Sequence, residues 1–141
     1  MPSSGEILRL WYEEVWNQRD AEKVPRYLAP DGIIHALDVA GDGAQGAEAF
    51  LAFQHQLLQS FPDLRFTVHD VVENGDWAAG RWSAEATHSG DGFGVSATGE
   101  PVKFTGMSMV RASGGQIVEA WNEWDRIRLA TTCRMVMPAS G

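Results

Sequence analysis

The sequence predicts one α+β domain. Three observations carry that expectation. Apolar residues recur at helical spacing through the segment that ends at Phe61, and beyond Pro62 the period changes to two. The alternating segments that follow are separated by short turn signals, as in hairpins. Finally, 141 residues with 44% hydrophobic content suit one domain with a real core. Helices gathered first and hairpin-linked strands gathered last give α+β rather than α/β.

The first element is a helix over "SSGEILRLWYEEVWNQ". Ser3 and Glu6 have capping-box spacing, and Ile7, Leu8, Trp11 and Val15 share one face. Asp20 is placed to cap a second, shorter helix, "AEKVPRYL", and "APDG" forms a turn. "GIIHALDV" reads as a short strand and "AGDGAQG" as a loop. "AEAFLAFQHQLLQSF" is the clearest helix, ended by Pro62. Four strands are then expected. "LRFTVHDVVENG" is joined through Asn74–Asp76 to "WAAGRWSAEATHSG", because an NG pair suits a hairpin turn. After the glycine-rich loop "DGFGVSATGE" come "PVKFTGMSMVRA", the turn "SGG", and "QIVEAWNEWD". A short helix is expected from Arg126, and "MPASG" reads as a frayed tail.

Composition narrows the function. The net charge is -8, with 19 acidic against 11 basic residues. Such a surface repels phosphate backbones and anionic lipids, which argues against nucleic-acid or membrane partners. Cys133 is the only cysteine, so neither an intrachain disulfide nor a cysteine-based zinc site is expected. The four histidines are scattered and form no HExxH motif. No signal peptide or membrane-spanning run is read, so the expected location is cytoplasmic.

The segments "FPDL", "VVENGD", "GRWSAEATHSG", "ATGEPVKFTG" and "RASGGQIVEAW", with Asp125 four residues beyond Trp121, occur in this order. Together they resemble the SnoaL-like polyketide cyclase (ester cyclase) family of the nuclear transport factor two-like superfamily, over roughly Ile7 to Leu129. The resemblance implies a single SnoaL-like domain spanning 1–141. Its implied shape is a cone, with a curved antiparallel sheet packed against three helices around a pocket. It also implies a cofactor-independent intramolecular aldol condensation, with no metal, on a hydrophobic carbonyl-bearing small molecule. The family's acid/base is an aspartate on the last strand, which Asp125 matches, and a first-strand histidine matches His35 more loosely. A second family histidine, near Met107–Met109, is absent, and "ATTCRM" stands where many members carry a "QLG"-like segment.

The residues themselves leave alternatives open. Asp125 reads either as the pocket's acid/base or as the N-cap of the final helix. An apolar pocket would raise the pKa of a catalytic aspartate toward a useful value. His35 reads as a core residue or a catalytic helper; His88 reads as a carbonyl polariser or a turn stabiliser. Trp121, Trp82, Phe53, Met107 and Met109 are candidate substrate-binding walls, or ordinary core. On the last strand, Ile117, Glu119, Trp121, Glu123 and Asp125 share one face by parity.

Other activities of the same fold enter as rivals. A ketosteroid-isomerase-like proton transfer is one, and a non-catalytic ligand-binding or dimerisation domain is another. Epoxide hydrolysis is disfavoured, because "GRWSA" lacks an aspartate two residues after Arg81. A homodimer through the open sheet face is expected, since six tryptophans exceed what one core of this size needs.

Overall fold

A computed structural model of the chain describes residues 1–135. The expected tail, 137–141, lies outside the described residues. The chain opens with α1, Ser4–Leu10, which continues unbroken as a π-helical segment, Trp11–Asn17. A single 3₁₀ turn, Ala21–Lys23, leads into α2, Val24–Tyr27. Then follow β1 (Leu28–His35), β2 (Ala44–Gln45), α3 (Gly46–Ser60), β3 (Arg65–Asn74), β4 (Trp77–Thr87), β5 (Pro101–Ser113), β6 (Gln116–Trp124) and α4 (Arg126–Thr132). The short β2, in the expected "AGDGAQG" loop, is the one strand the periodicity does not reveal.

The six strands form one curved open sheet in the order β2-β1-β6-β5-β4-β3. All neighbours are antiparallel except β1 and β6, which run parallel. α1, its π-helical extension and α3 lie against the sheet's inner face.

The first helix is fixed at both ends by side chains. At its start the Ser3 hydroxyl accepts from the Glu6 N–H, and the Ser3 N–H donates to Glu6, completing the capping box. The Glu73 carboxylate accepts the Gly5 N–H at 2.9 Å and the Ser4 hydroxyl at 3.3 Å. A carboxylate on free N–H groups at a helix start is stabilised in its charged form. The bond from Gly5 N–H accordingly holds the Glu73 carboxyl below its usual range. Glu73 sits beside the β3–β4 hairpin, so the contact docks the helix onto the sheet. In that hairpin Asn74 pairs with Trp77, leaving a two-residue loop with Gly75 first at φ 60. That is the placement glycine takes in a II′ turn.

At the far end of the helix, the Asn17 side chain bonds both the N–H and the C=O of Phe66, at 2.8 and 2.9 Å. The Arg19 guanidinium donates to the carbonyls of Trp16, Asn17 and Leu64. The bonds to Trp16 and Asn17 satisfy carbonyls that the ended helix leaves free, and those to Leu64 and Phe66 tie the helix end to the start of β3. The π-helical segment buries Trp11, Tyr12, Val15 and Trp16 together.

The inner face of β5 carries Val102, Phe104, Ser108, Val110 and Ala112, all buried, while Lys103, Thr105, Met107 and Met109 point outward and are exposed. On β6 strict parity fails. Arg111 pairs with Glu119 and Ala112 with Ile117, so Val118 is an extra residue, a β-bulge. The bulge lets Ile117 enter the core while Glu119, Trp121 and Glu123 stay outside; the expectation that Ile117 shares their face is corrected by it. Among the described residues, no helix is long and apolar enough to cross a membrane.

Candidate active site

Between the inner sheet face and the helices lies a cavity of about 60 Å³. The helices contribute Trp11, Tyr12 and Trp16 on one side and Phe50 and Phe53 on the other. The sheet contributes Phe66, Trp82, Phe104, Val110 and Ala120, and the lining is overwhelmingly apolar. Space of this size holds about two waters at liquid density, well short of the roughly 150 Å³ that accommodates benzene. A drug-sized ligand therefore enters only if lining side chains move. Leu37, Phe53 and Trp124 line the cavity and are only partly buried. They stand where the lining meets the surface. The Trp124 indole N–H donates to the Ala36 carbonyl at 3.2 Å, tying that part of the lining to the loop after β1.

One polar cluster interrupts the apolar lining. Tyr12 and Ser108 hydroxyls lie 2.6 Å apart. The Trp82 indole N–H donates to Ser108 Oγ at 3.0 Å. Ser108 Oγ donates to Asn122 Oδ1 at 2.6 Å, and Asn122 Nδ2 donates to the His35 carbonyl at 2.9 Å. Burial pushes the Tyr12 phenol well above its usual range, so it is neutral at ordinary pH. Tyr12 is the only ionisable side chain among the described cavity-lining residues.

Of the residues expected in the pocket, Trp82 and Phe53 line the cavity. Met107 and Met109 are instead exposed on the outer face, where strand parity with Lys103 and Thr105 places them. Trp121 is also outside, stacked between Trp77 and His35 at ring separations of 5.6 and 5.5 Å.

The three expected catalytic residues are not brought together. Asp125 caps α4: its Oδ1 accepts the Arg128 N–H at 3.0 Å and its Oδ2 pairs with the Arg128 guanidinium at 3.3 Å. Its carboxylate borders an outer groove with Arg65, Glu85 and Lys103. His35 Nε2 donates to Glu119 at 2.7 Å on the outer face. His88 is fully buried at the end of β4, where its Nδ1 accepts the Thr98 N–H at 3.2 Å, pinning the glycine-rich loop beside Phe61. Tyr12, Ser108 and Asn122 are the residues that sequence reasoning missed. The available signal was parity: Ser108 falls in the inward phase of Val102, Phe104 and Val110.

Cys133 is buried, and burial pushes its thiol up to about 11, so it is not poised as a nucleophile. Among the described residues no three His, Cys, Asp or Glu side chains cluster as a metal site.

The hydrogen bond from His35 holds the Glu119 carboxyl below its usual range, with Arg111 adding to the effect. A depressed carboxyl contributes stability above its unfolded pKa and loses it as pH falls through the folded value. Replacing His35→Asn is expected to return Glu119 toward the ordinary carboxylate range, read by NMR titration of its side-chain carboxyl. An unchanged titration would mean the pair does not persist in solution.

The family model for SnoaL-like polyketide cyclase matches residues 6–132. The chain belongs to the SnoaL-like polyketide cyclase family. Its structure is similar to that of IdmH, a candidate polyketide cyclase from Streptomyces antibioticus, with 32% identity and a TM-score of 0.78, covering 92% of this chain and 96% of that one. It is also similar to AclR, a candidate hydroxylase from Streptomyces galilaeus, with 24% identity, a TM-score of 0.76 and coverage of 94% and 82%. A SnoaL-like polyketide cyclase candidate from Jannaschia Sp. CCS1 matches at 21% identity and a TM-score of 0.80, covering 92% and 90%. No curated protein matches the chain in sequence.

Proposed function

We propose that this member of the SnoaL-like family closes a ring in a hydrophobic, carbonyl-bearing small molecule held in the inner cavity. The observation that carries the reading is the single polar cluster, Tyr12–Ser108–Asn122–Trp82, set in an otherwise apolar lining. A few placed polar groups in an apolar concavity are the usual composition of a small-molecule site.

The reaction is an intramolecular aldol closure. The enol carbon of one carbonyl attacks a second carbonyl, a C–C bond forms, the enol O–H proton is released as its C=O is restored, and the new alkoxide takes up a proton. A substrate already enolised by a neighbouring carbonyl carries the proton that the alkoxide needs. That suits a lining whose one ionisable group is a neutral phenol. The protein's contribution is then to fold the chain of the substrate into reactive contact. In this reading Asp125 serves α4 as a cap, and His35 and His88 organise the outer face and the glycine-rich loop.

A second reading, a ligand-holding domain without catalysis, is favoured by the same neutral lining. Turnover of a cyclisable aryl β-triketone, followed by chromatography, separates the two. Catalysis by the cavity predicts that Tyr12→Phe lowers turnover about tenfold or more while Asp125→Asn stays near wild type. A loss of about 10²–10⁴ on Asp125→Asn in a folded protein would instead place the acid/base there. No turnover of any polyketone by the wild type would favour the binding domain.

The outer face also supports pairing of two copies. Trp77, Met107 and Met109 are exposed there beside Arg111, Glu119 and Glu123. A patch with apolar centre and both charge signs can match itself across a two-fold axis. Light scattering at micromolar concentration should give a dimer mass, falling to the monomer in Met109→Glu. A wild-type monomer would refute the pairing.

A further inference from the structure

The direction of each hydrogen bond in the polar cluster can be deduced. The Asn122 amide must point Nδ2 at the His35 carbonyl, since two carbonyl oxygens facing each other would repel. Oδ1 therefore faces Ser108, and because it can only accept, the single Ser108 proton goes to it. The Trp82 indole can only donate, and it donates to Ser108 Oγ. Ser108 has thus spent its proton and one lone pair. The remaining contact, 2.6 Å to Tyr12, must then be donated by the phenol.

The protons run one way, from Tyr12 to Ser108 to Asn122 to the His35 carbonyl. Among the described residues, Ser108 is the one full hydrogen-bond partner of the Tyr12 hydroxyl. The indole N–H also flanks the phenol oxygen and takes at most one of its two lone pairs. Burial keeps the phenol protonated, so the oxygen acts as a neutral acceptor. Donation into a chain of further donors makes that oxygen a better acceptor still.

We infer that the polar end of the cavity is an acceptor site: Tyr12 Oη takes a hydrogen bond from an enol or hydroxyl group of the ligand, and it selects that form over the keto or ether form. The inference rests on the cavity being the ligand site, and it deepens that reading by naming the ligand group recognised. A ligand carbonyl at the same place would meet lone pairs, unless Tyr12 gave up its bond to Ser108. An enol held at Tyr12 is the nucleophilic tautomer of a ring closure, so the same contact would select the reactive form.

The test uses small aromatic probes of matched shape. Phenol carries an O–H on an sp² carbon, as an enol does; anisole has that proton replaced by methyl; acetophenone offers only a carbonyl. Binding to the full chain is followed by NMR through the methyls of Val110, Ile34 and Leu57, which border the cavity. Phenol is expected to bind about tenfold more tightly than anisole or acetophenone, the scale of one buried hydrogen bond. Tyr12→Phe, which keeps the ring, should abolish the preference. Ser108→Ala frees the Tyr12 proton for the cavity and should turn the preference toward acetophenone.

Equal binding of the probes to the wild type, or a phenol preference that survives Tyr12→Phe, overturns the acceptor assignment while leaving the cavity as the site. If none of the probes shifts the cavity methyls, the cavity reading falls and the acceptor site with it. Should Ser108→Ala fail to fold, the Tyr12→Phe comparison decides alone.

Discussion

Replacing Phe50 with alanine is expected to lower the unfolding free energy by about 3–5 kcal/mol, the range for a large aromatic deleted from a core. Phe50 is fully buried in α3, and its ring lies 4.7 Å from that of Trp11 and 5.4 Å from that of Trp16. It is one of the side chains that hold α3 against the π-helical segment. For a chain of this length the loss corresponds to a drop of about 10–20 °C in Tm. Phe50 also lines the cavity, so its removal should enlarge the space rather than let the walls collapse. A benzene-sized apolar ligand should then recover part of the stability through linkage. Thermal unfolding with and without toluene measures both effects. A loss under about 1 kcal/mol, with no response to toluene, would mean that α3 closes onto the sheet and that the cavity is not a fixed feature of the fold.

The second large effect is on alkaline stability, and it comes from Tyr12. Burial raises the Tyr12 phenol, so the folded protein keeps this proton to higher pH than the unfolded chain does. Its contribution is fully present below the unfolded value of about 10 and is lost as pH rises toward the folded one. The expected slope is about 1.4 kcal/mol per pH unit, or about 2.7 kcal/mol over two units above pH 10. Tyr27, raised by burial and by its bond to Glu14, adds a second dependence of the same sign. Urea unfolding of wild type and Tyr12→Phe across this range isolates the first. The stabilities of the two proteins should converge or cross as pH rises. Parallel decline would show that Tyr12 ionises in the folded state.

Much of the architecture was legible because it rests on local rules. The Ser3–Glu6 box, the Asn74–Asp76 hairpin and the helix ended at Pro62 are encoded within a few residues, and the structure has each of them. The parallel pairing of β1 with β6 joins segments about eighty residues apart, and nothing in either strand announces it. The bulge at Val118 is of the same kind, since an extra residue cannot be seen by counting in twos.

The candidate cavity was legible only in part. Trp82 and Phe53 lie in the lining, whereas the apolar character of Met107, Met109 and Trp121 does not reveal that strand phase puts them outside. Phase also held the positive clue. A serine at an inward position of β5 and an asparagine at an inward position of β6 need partners, and they find them in each other and in Tyr12. That those three side chains meet depends on the curvature and register of the sheet, which no single segment contains. Asp125 caps α4 and pairs with Arg128.

In the proposed function the cavity, and not the Asp125 groove or the outer face, receives the ligand. A crystal structure of the protein soaked with benzoylacetone, a strongly enolic β-diketone, tests it most directly. The expected result has Leu37, Phe53 and Trp124 displaced, the ligand in the cavity, and its enol oxygen within hydrogen-bond distance of Tyr12 Oη. Ligand bound beside Asp125 and Arg128, or on the Trp77–Trp121–His35 stack with the cavity closed, would contradict it.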